Sequence, residues 1–202
     1  MNKIPDILPS RIIITDDPLR AKMLIAHYLE YANLINESGD ILLFSGSYKD
    51  VPIALASTGF GSSAVLSFLR GIIKPGETEV VYLGCCVSAT RKHELRTVVL
   101  ASGGSQKLLS RACQAAVQCE VPTTLQAVQA ALPPKDANLE EGYIINDITC
   151  ALYEQARSDG IEALSVLTVS ENTKTGDKME DHEKRSRLYA AAHLAFEMLA
   201  LE

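Results

Sequence analysis

The stretch RIIITDDPLR, residues Arg11–Arg20, decides the fold of this chain. Residues 12–15 form a short, mostly β-branched run, which predicts a buried strand. Two aspartates end that strand, and Pro18 then fixes a backbone angle suited to the first turn of a helix. The sequence therefore predicts a strand followed at once by a helix, with Arg20 in the first helical turn.

Arg20 is an unexpected residue at that position. A cation gains nothing from the positive end of the helix dipole, so another interaction has to hold it there. One interpretation is that Arg20 binds an anion, because α/β proteins place ligands at the carboxyl ends of their strands. The other interpretation is a surface ion pair with Asp16 or Asp17. The local sequence leaves both interpretations open.

The composition excludes several classes of protein. The chain has 202 residues, a formal net charge of −6, scattered basic residues and no tryptophan, so a nucleic-acid partner is not expected. It contains no run of about 18 apolar residues, which argues against a membrane span. The five cysteines include no CxxC pair, so we expect no disulfide framework and favour a cytoplasmic location. This length suits one domain over residues 1–202.

Short apolar runs alternate with helical patterns along the rest of the chain. Strands are predicted at residues 41–48, 51–57, 79–83, 95–101 and 163–169, and helices at 64–73, 108–119, 148–157 and 182–201. The segment 122–132 is ambiguous between strand and helix, and residues 133–141 are predicted to form a loop. This alternation predicts an α/β fold, a three-layer α/β/α sandwich around a mixed central sheet.

The strands at 41–48 and 51–57 are predicted to form a hairpin with the two-residue loop Lys49-Asp50, although this loop lacks the favoured glycine. A glycine-rich turn follows the second of these strands. Gly59, Phe60 and Gly61 stand directly before a predicted helix, and two glycines with one residue between them allow a ligand to approach the backbone closely. The N-terminus of a helix beside glycines is a natural site for an anion.

Three blocks stand in order along the sequence. They are DDPLRA at residues 16–21, FSGSYK at 44–49 with TGFG at 58–61, and LTVSEN at 167–172 followed by Arg185 and a closing helix. Together they resemble the nucleoside phosphorylases of the purine/uridine phosphorylase type. The resemblance covers residues 11–101 and about 146–201, and the middle of the chain matches poorly and is shortened.

The resemblance implies a fold, a reaction and a set of partners. It implies a phosphorylase/hydrolase-like α/β/α sandwich and cleavage of the N-glycosidic bond of a purine or pyrimidine nucleoside by phosphate, with no cofactor and no metal. Nucleoside and phosphate would be the partners of a homo-oligomer, a dimer or a hexamer. The family's positions fall here on Arg20, Gly59, Gly61 and Cys85 for phosphate, on Phe60, Tyr82 and Asp147 for the nucleoside, and on Glu171 and Arg185 for catalysis.

This sequence also departs from the family pattern. Tyr82 stands where the family has a second phosphate-binding arginine, and Asp16 replaces the glycine that opens the first block. The glutamate with which the family holds the ribose is missing here, and Asp147 lies one residue away from the corresponding position. Because these changes weaken an anion site, the alternative is a homologue that hydrolyses a nucleoside, or that binds one without cleaving it.

Glu171 is predicted to act as the acid that protonates the leaving base. It follows a buried strand, and we expect it to pair with Arg185 across the mouth of a cleft. Other sites are disfavoured. Adjacent Cys85 and Cys86 are typical of a core, the four histidines are dispersed, and Asp16 with Asp17 lacks the Asp-x-Asp spacing of a magnesium-dependent phosphatase.

Overall fold

The computed structural model describes residues 8–131, 143–186 and 188–201. Its strands are β1 (Arg11–Thr15), β2 (Glu30–Ser38), β3 (Ile41–Tyr48), β4 (Val51–Ser57), β5 (Glu79–Ser88), β6 (Val98–Ala101), β7 (Thr123–Gln126), β8 (Val128–Gln129), β9 (Ile144–Ile145) and β10 (Glu162–Asn172). Its helices are α1 (Pro18–Tyr28), α2 (Ser62–Leu69), α3 (Gln106–Gln118), α4 (Asp147–Asp159), α5 (Asp181–Ser186) and α6 (Tyr189–Ala200).

The strands form one mixed sheet, as the sequence predicted. Its main strand order is β2-β3-β4-β1-β5-β10-β6-β7. Outside this order, β9 pairs with both β5 and β8. Strands β4, β1, β5 and β10 run parallel, so their carboxyl ends meet at one edge of the sheet. Helices α2 and α4 cover one face and α1, α3 and α6 cover the other, which confirms the three-layer α/β/α sandwich.

The predicted hairpin is present between β3 and β4. Its two loop residues, Lys49 and Asp50, have φ angles of 50° and 64°, the left-handed values that a two-residue type I′ turn requires. Strand β2 was missed because most of its side chains are exposed and its sequence, EYANLINES, shows no apolar alternation. It lies at the edge of the sheet, antiparallel to β3.

Two other predictions need correction. The closing helix over residues 182–201 is two helices, because α5 ends at Ser186 and α6 begins at Tyr189, with Leu188 outside both. The strand predicted from Leu95 begins only at Val98. The ambiguous segment contains the short strands β7 and β8, and the predicted loop at 133–141 lies outside the described residues. No helix in the described ranges is long and apolar enough to cross a membrane.

Tyr153 links helix α4 to the sheet by two hydrogen bonds of its hydroxyl group. Its hydroxyl donates to the carbonyl of Ala101, at 2.8 Å, and accepts from the amide of Ser165, at 3.0 Å. Tyr153→Phe leaves that buried N–H and C=O without a partner, so we expect the free energy of unfolding to fall by about 1–3 kcal/mol. Urea denaturation measures the loss. Tyr189→Phe is the control, because Tyr189 is 53% exposed and its loss of a hydroxyl should change stability little. Equal effects of the two substitutions would contradict the prediction.

Candidate active site

A cleft of about 530 Å³ opens at the carboxyl ends of the parallel strands. Its walls come from the β1–α1 loop, the turn before α2, the end of β5, the start of α4, the end of β10, and α5. This is the edge at which open α/β sheets bind their ligands. The cleft therefore brings together segments that are far apart in the sequence.

Arg20 lies at the bottom of this cleft, and all of its donors are occupied. The side chain is 4% exposed. Nη1 donates to Thr15 Oγ1 at 2.9 Å and to Asp16 Oδ1 at 2.7 Å, while Nη2 donates to Cys85 Sγ at 3.6 Å. Nη2 and Nε both donate to the carbonyl of Lys184, at 3.2 and 3.3 Å. A guanidinium has five N–H groups, so Arg20 has none left for a ligand in this conformation.

The N-terminus of α1 could also bind an anion, but the side chain of Asp17 occupies it. Its Oδ1 accepts from the amides of Leu19, at 2.8 Å, and Arg20, at 3.3 Å. Its Oδ2 is 3.2 Å from Arg185 Nε. This is the usual role of an aspartate at the N-cap. The donors that could hold an anion after β1 therefore hold the chain's own carboxylates.

The charge of the cleft is negative. Among the described residues that line it, the carboxylates are Asp16, Asp17, Asp147, Glu171 and Asp181, and the cations are Arg20, Lys184 and Arg185. Each of these cations has an acidic partner in the cleft; for Lys184 it is Asp181, 3.4 Å away. The lining therefore favours a ligand with positive or developing positive charge over an anion.

The turn before α2 is the part of the cleft that keeps free backbone donors. Gly59 and Gly61 have φ angles of 80° and 88°, which a glycine adopts without strain. Gly61 is the N-cap of α2, and no side chain in the described part of the chain caps that helix. Gly61 and Phe60 line the cleft, Phe60 with 64% exposure. Gly59 is buried and is not among the described residues that line it.

The floor of the cleft is built from β5 and the start of α4. Tyr82 is 1% exposed, and the side chain of Asn146 donates to the carbonyl of Cys85 at 2.9 Å. Burial raises the pKa of the Cys85 thiol, and the opposing effect of the Arg20 guanidinium is smaller. The thiol is therefore protonated at neutral pH and serves Arg20 as a weak neutral acceptor.

Comparison with known proteins adds to this geometry. No family model matches the chain. A protein from Bacillus subtilis (strain 168) named purine nucleoside phosphorylase DeoD-type is 27% identical over 212 residues, covering 91% of each chain. Proteins of the same name from Geobacillus kaustophilus and Psychromonas ingrahamii are 27% and 23% identical, covering 94% and 100% of this chain and 92% and 98% of their own.

The chain is similar along most of its length to these proteins named purine nucleoside phosphorylase. A solved structure, purine nucleoside phosphorylase from Toxoplasma gondii in complex with immucillin-H, shares the fold. Its TM-score is 0.83 at 14% sequence identity, covering 99% of this chain and 96% of that one. The family resemblance drawn from the three sequence blocks is thereby confirmed.

The pair predicted between Glu171 and Arg185, the two residues to which the resemblance assigned catalysis, is wrong. Both Glu171 and Arg185 line the cleft, but Arg185 contacts Asp17, and Glu171 Oε2 lies 3.2 Å from Lys178 Nζ. The reason is the backbone: β10 bulges before Glu171, and the chain then turns back so that Lys178 bridges to it. Asp17 is the carboxylate that meets Arg185 instead.

Of the two interpretations of Arg20, the structure shows the ion pair, and the bound anion stays a prediction. Arg20 does pair with Asp16, but the pair lies at the bottom of the cleft and not on the surface. The carbonyl of Lys184 was missed because a main-chain acceptor 164 residues away leaves no signal in the sequence. Asp147, exposed in the first turn of α4, lines the cleft, and its role in nucleoside binding stays a prediction.

Proposed function

We propose that this protein cleaves the N-glycosidic bond of a nucleoside in the cleft, with phosphate as the attacking group. The products would be a free base and a pentose 1-phosphate. The supporting observation is that curated relatives named purine nucleoside phosphorylase align along more than nine-tenths of both chains, and that the shared fold opens a cleft at the expected strand ends. The names of those relatives favour a purine over a pyrimidine.

The negative lining of the cleft suits the chemistry at the sugar. Cleavage of the bond develops positive charge on the ring, and nearby carboxylates stabilise that charge. Asp147 is the candidate to bind the ribose hydroxyls, and Phe60 is placed at the mouth to pack against the sugar. Glu171 is the candidate acid for the leaving base. A carboxyl must hold a proton to do so, which requires Lys178 to move away from it.

Phosphate binding requires hydrogen-bond donors, and the described part of the cleft offers few that are not already used. The uncapped N-terminus of α2 offers backbone N–H groups beside Gly61. Arg20 could contribute only if phosphate displaced one of its present acceptors, because its donors are bound to Thr15, Asp16, Cys85 and Lys184. Asp16 is the charged one among them. We therefore expect weak phosphate binding, with Asp16 and phosphate competing for Arg20.

The same observation supports a second candidate, hydrolysis. Asp16 is 20% exposed at its side chain and binds Arg20 through Oδ1. Its Oδ2 accepts no hydrogen bond from the described part of the chain and is available to a water molecule. A carboxylate held in this way could orient water for attack on the sugar.

The release of free base from inosine, adenosine or uridine decides between these reactions. Base that appears only with added phosphate, together with a pentose 1-phosphate, supports phosphorolysis. Base that appears equally without phosphate supports hydrolysis. If no base appears under either condition but a nucleoside raises the melting temperature, the protein binds without cleaving, and the catalytic proposal fails.

Substitution of Asp16 gives an independent prediction. In Asp16→Asn the competing charge is gone, so in phosphorolysis we expect the KM for phosphate to fall about tenfold or more, equivalent to about 1.4 kcal/mol. In hydrolysis the same substitution removes the group that orients water, and the rate of base release should fall. Asp181→Asn is the control, because Asp181 lines the cleft but pairs with Lys184. Identical phosphate dependence in wild type and Asp16→Asn would contradict the role given to Asp16.

We further propose that the protein forms a homo-oligomer, a dimer or a hexamer, as the family resemblance implies. Light scattering coupled to size-exclusion chromatography tests this directly. A mass close to the 21.9 kDa of one chain at micromolar concentration would overturn it.

A further inference from the structure

Three side chains of different chemistry meet away from the cleft, at the packed helices α3 and α6. They are Cys119, His193 and Glu197, and their potential ligand atoms all lie within 4.8 Å of one another. None of the three is among the described residues that line the cleft. We propose that Cys119, His193 and Glu197 form a zinc site that joins these two helices.

The fold builds this cluster from rigid parts. His193 and Glu197 are four residues apart on α6, a spacing that puts both side chains on one face of the helix. Cys119 is the C-cap residue of α3, and its amide donates to the carbonyl of Ala115. Buried alanines of both helices, among them Ala115 and Ala192, belong to the same core cluster. The ligands are therefore held by packed elements and not by loose loops.

The donor set selects the metal. A thiolate sulfur, an imidazole nitrogen and a carboxylate oxygen suit zinc, whereas magnesium and calcium take oxygen ligands. With bonds of about 2.0–2.3 Å in a tetrahedron, ligand atoms lie roughly 3.3–3.8 Å apart. The ligand atoms lie within 4.8 Å of one another, so the side chains have to close by at most about 1.5 Å to reach this geometry. Three protein ligands leave the fourth position to water.

Glu197 is already oriented by a second residue. The hydroxyl of Tyr48 donates to Glu197 Oε1 at 2.7 Å, in the way that outer-shell donors orient a metal-binding carboxylate. Lys49 Nζ also contacts the carboxylate, at 2.7 Å from Oε1 and 2.8 Å from Oε2. The Lys49 side chain is 60% exposed, so it can swing into water when a metal cation replaces its charge.

Zinc binding requires one covalent change. The Cys119 thiol loses its proton to solvent as the sulfur–zinc bond forms, and no oxidant or reductant is involved. The sequence predicted no metal site because histidines and cysteines are dispersed along the chain. The cluster forms because packing brings the end of α3 beside α6. Sequence spacing indicates only two of its three residues, the i, i+4 pair at 193 and 197.

Titration with zinc tests the proposal. The full chain is stripped with a chelator, dialysed and titrated with zinc chloride against a chromophoric competitor. We expect one equivalent to bind at micromolar concentration or tighter. Cys119→Ser and His193→Gln should each weaken binding by about 100-fold or more, because loss of even an outer-shell partner costs 10–100-fold. Cys113→Ser is the matched control, since Cys113 is exposed on the same helix and should bind zinc like wild type.

Two further measurements sharpen the test. Lys49→Met removes the competing cation and should tighten zinc binding about fivefold. Cobalt in place of zinc should give a thiolate-to-metal charge-transfer band that Cys113→Ser keeps and Cys119→Ser loses. Binding below one equivalent at micromolar zinc, or equal binding by wild type and Cys119→Ser, would overturn the proposal. Neither result bears on the nucleoside assay, so the two proposals fail separately.

Discussion

Arg20→Met should lower the free energy of unfolding by about 3 kcal/mol, the lower end of the cost of breaking a buried ion pair from one side. The substitution removes five hydrogen bonds at once and leaves Asp16 as an uncompensated charge at the bottom of the cleft. The carbonyl of Lys184 loses both of its donors from Arg20. Chemical denaturation of wild type and variant measures the effect.

Arg185→Met is the control for this prediction. Its side chain is 47% exposed, and its ion pair within the described part of the chain is with Asp17, so the expected loss is below about 1 kcal/mol. The double variant Arg20→Met/Asp16→Ala should lose less stability than Arg20→Met alone, because the stranded carboxylate is gone as well. Additive losses in the double variant would show that the pair is not coupled.

Glu79→Leu should cost about 3–5 kcal/mol of stability. Glu79 is 7% exposed and receives two hydrogen bonds from Arg111, at 2.8 and 3.1 Å, and one contact from Lys107 at 2.6 Å. Arg111 is itself 7% exposed, so removal of Glu79 leaves a buried guanidinium without its carboxylate. Glu77→Leu, two residues earlier and exposed, is the matched control and should change stability little.

The Glu79 cluster also predicts a pH dependence. Burial alone would raise the pKa of Glu79, but the hydrogen bonds from Arg111 and Lys107 lower it below its ordinary value. A carboxyl whose pKa is lower in the folded state stabilises the protein above its unfolded pKa, and this stability is lost as the pH falls through the folded pKa. The stability difference between wild type and Glu79→Gln should therefore shrink from about pH 6 to about pH 3. A constant difference would contradict the assignment.

Local patterns predicted most of the layered fold. Residues 12–15 are β-branched and mostly apolar, which predicted the buried strand β1. Pro18 predicted the start of α1, directly after the N-cap residue Asp17. Strand β2 could not be found this way, since it is held by backbone pairing with β3 and its side chains carry little apolar signal. The break between α5 and α6 was missed because helical periodicity continues across Leu188.

The sequence predicted which residues lie near the cleft better than it predicted which side chains contact one another. Residues such as Phe60 and Asp147 were placed at strand and helix ends, and the structure finds them along one cleft. Which carboxylate meets which cation was not predictable, because Asp16, Asp17 and Glu171 all lie at or just beyond the carboxyl ends of strands at the same edge. The choice depends on the bulge in β10, an irregularity that has no marker in the sequence.

The position of β10 has a consequence for how the chain acquires its structure. This strand follows the other nine described strands in sequence, yet it lies between β5 and β6 in the middle of the sheet. Until it is synthesised, β5 and β6 have unpaired edges and cannot pair with each other without excluding it. The central part of the sheet therefore cannot be completed during translation before β10 has been synthesised. Such non-local pairing slows folding and exposes strand edges meanwhile, so the half-made chain is the form most in need of a chaperone.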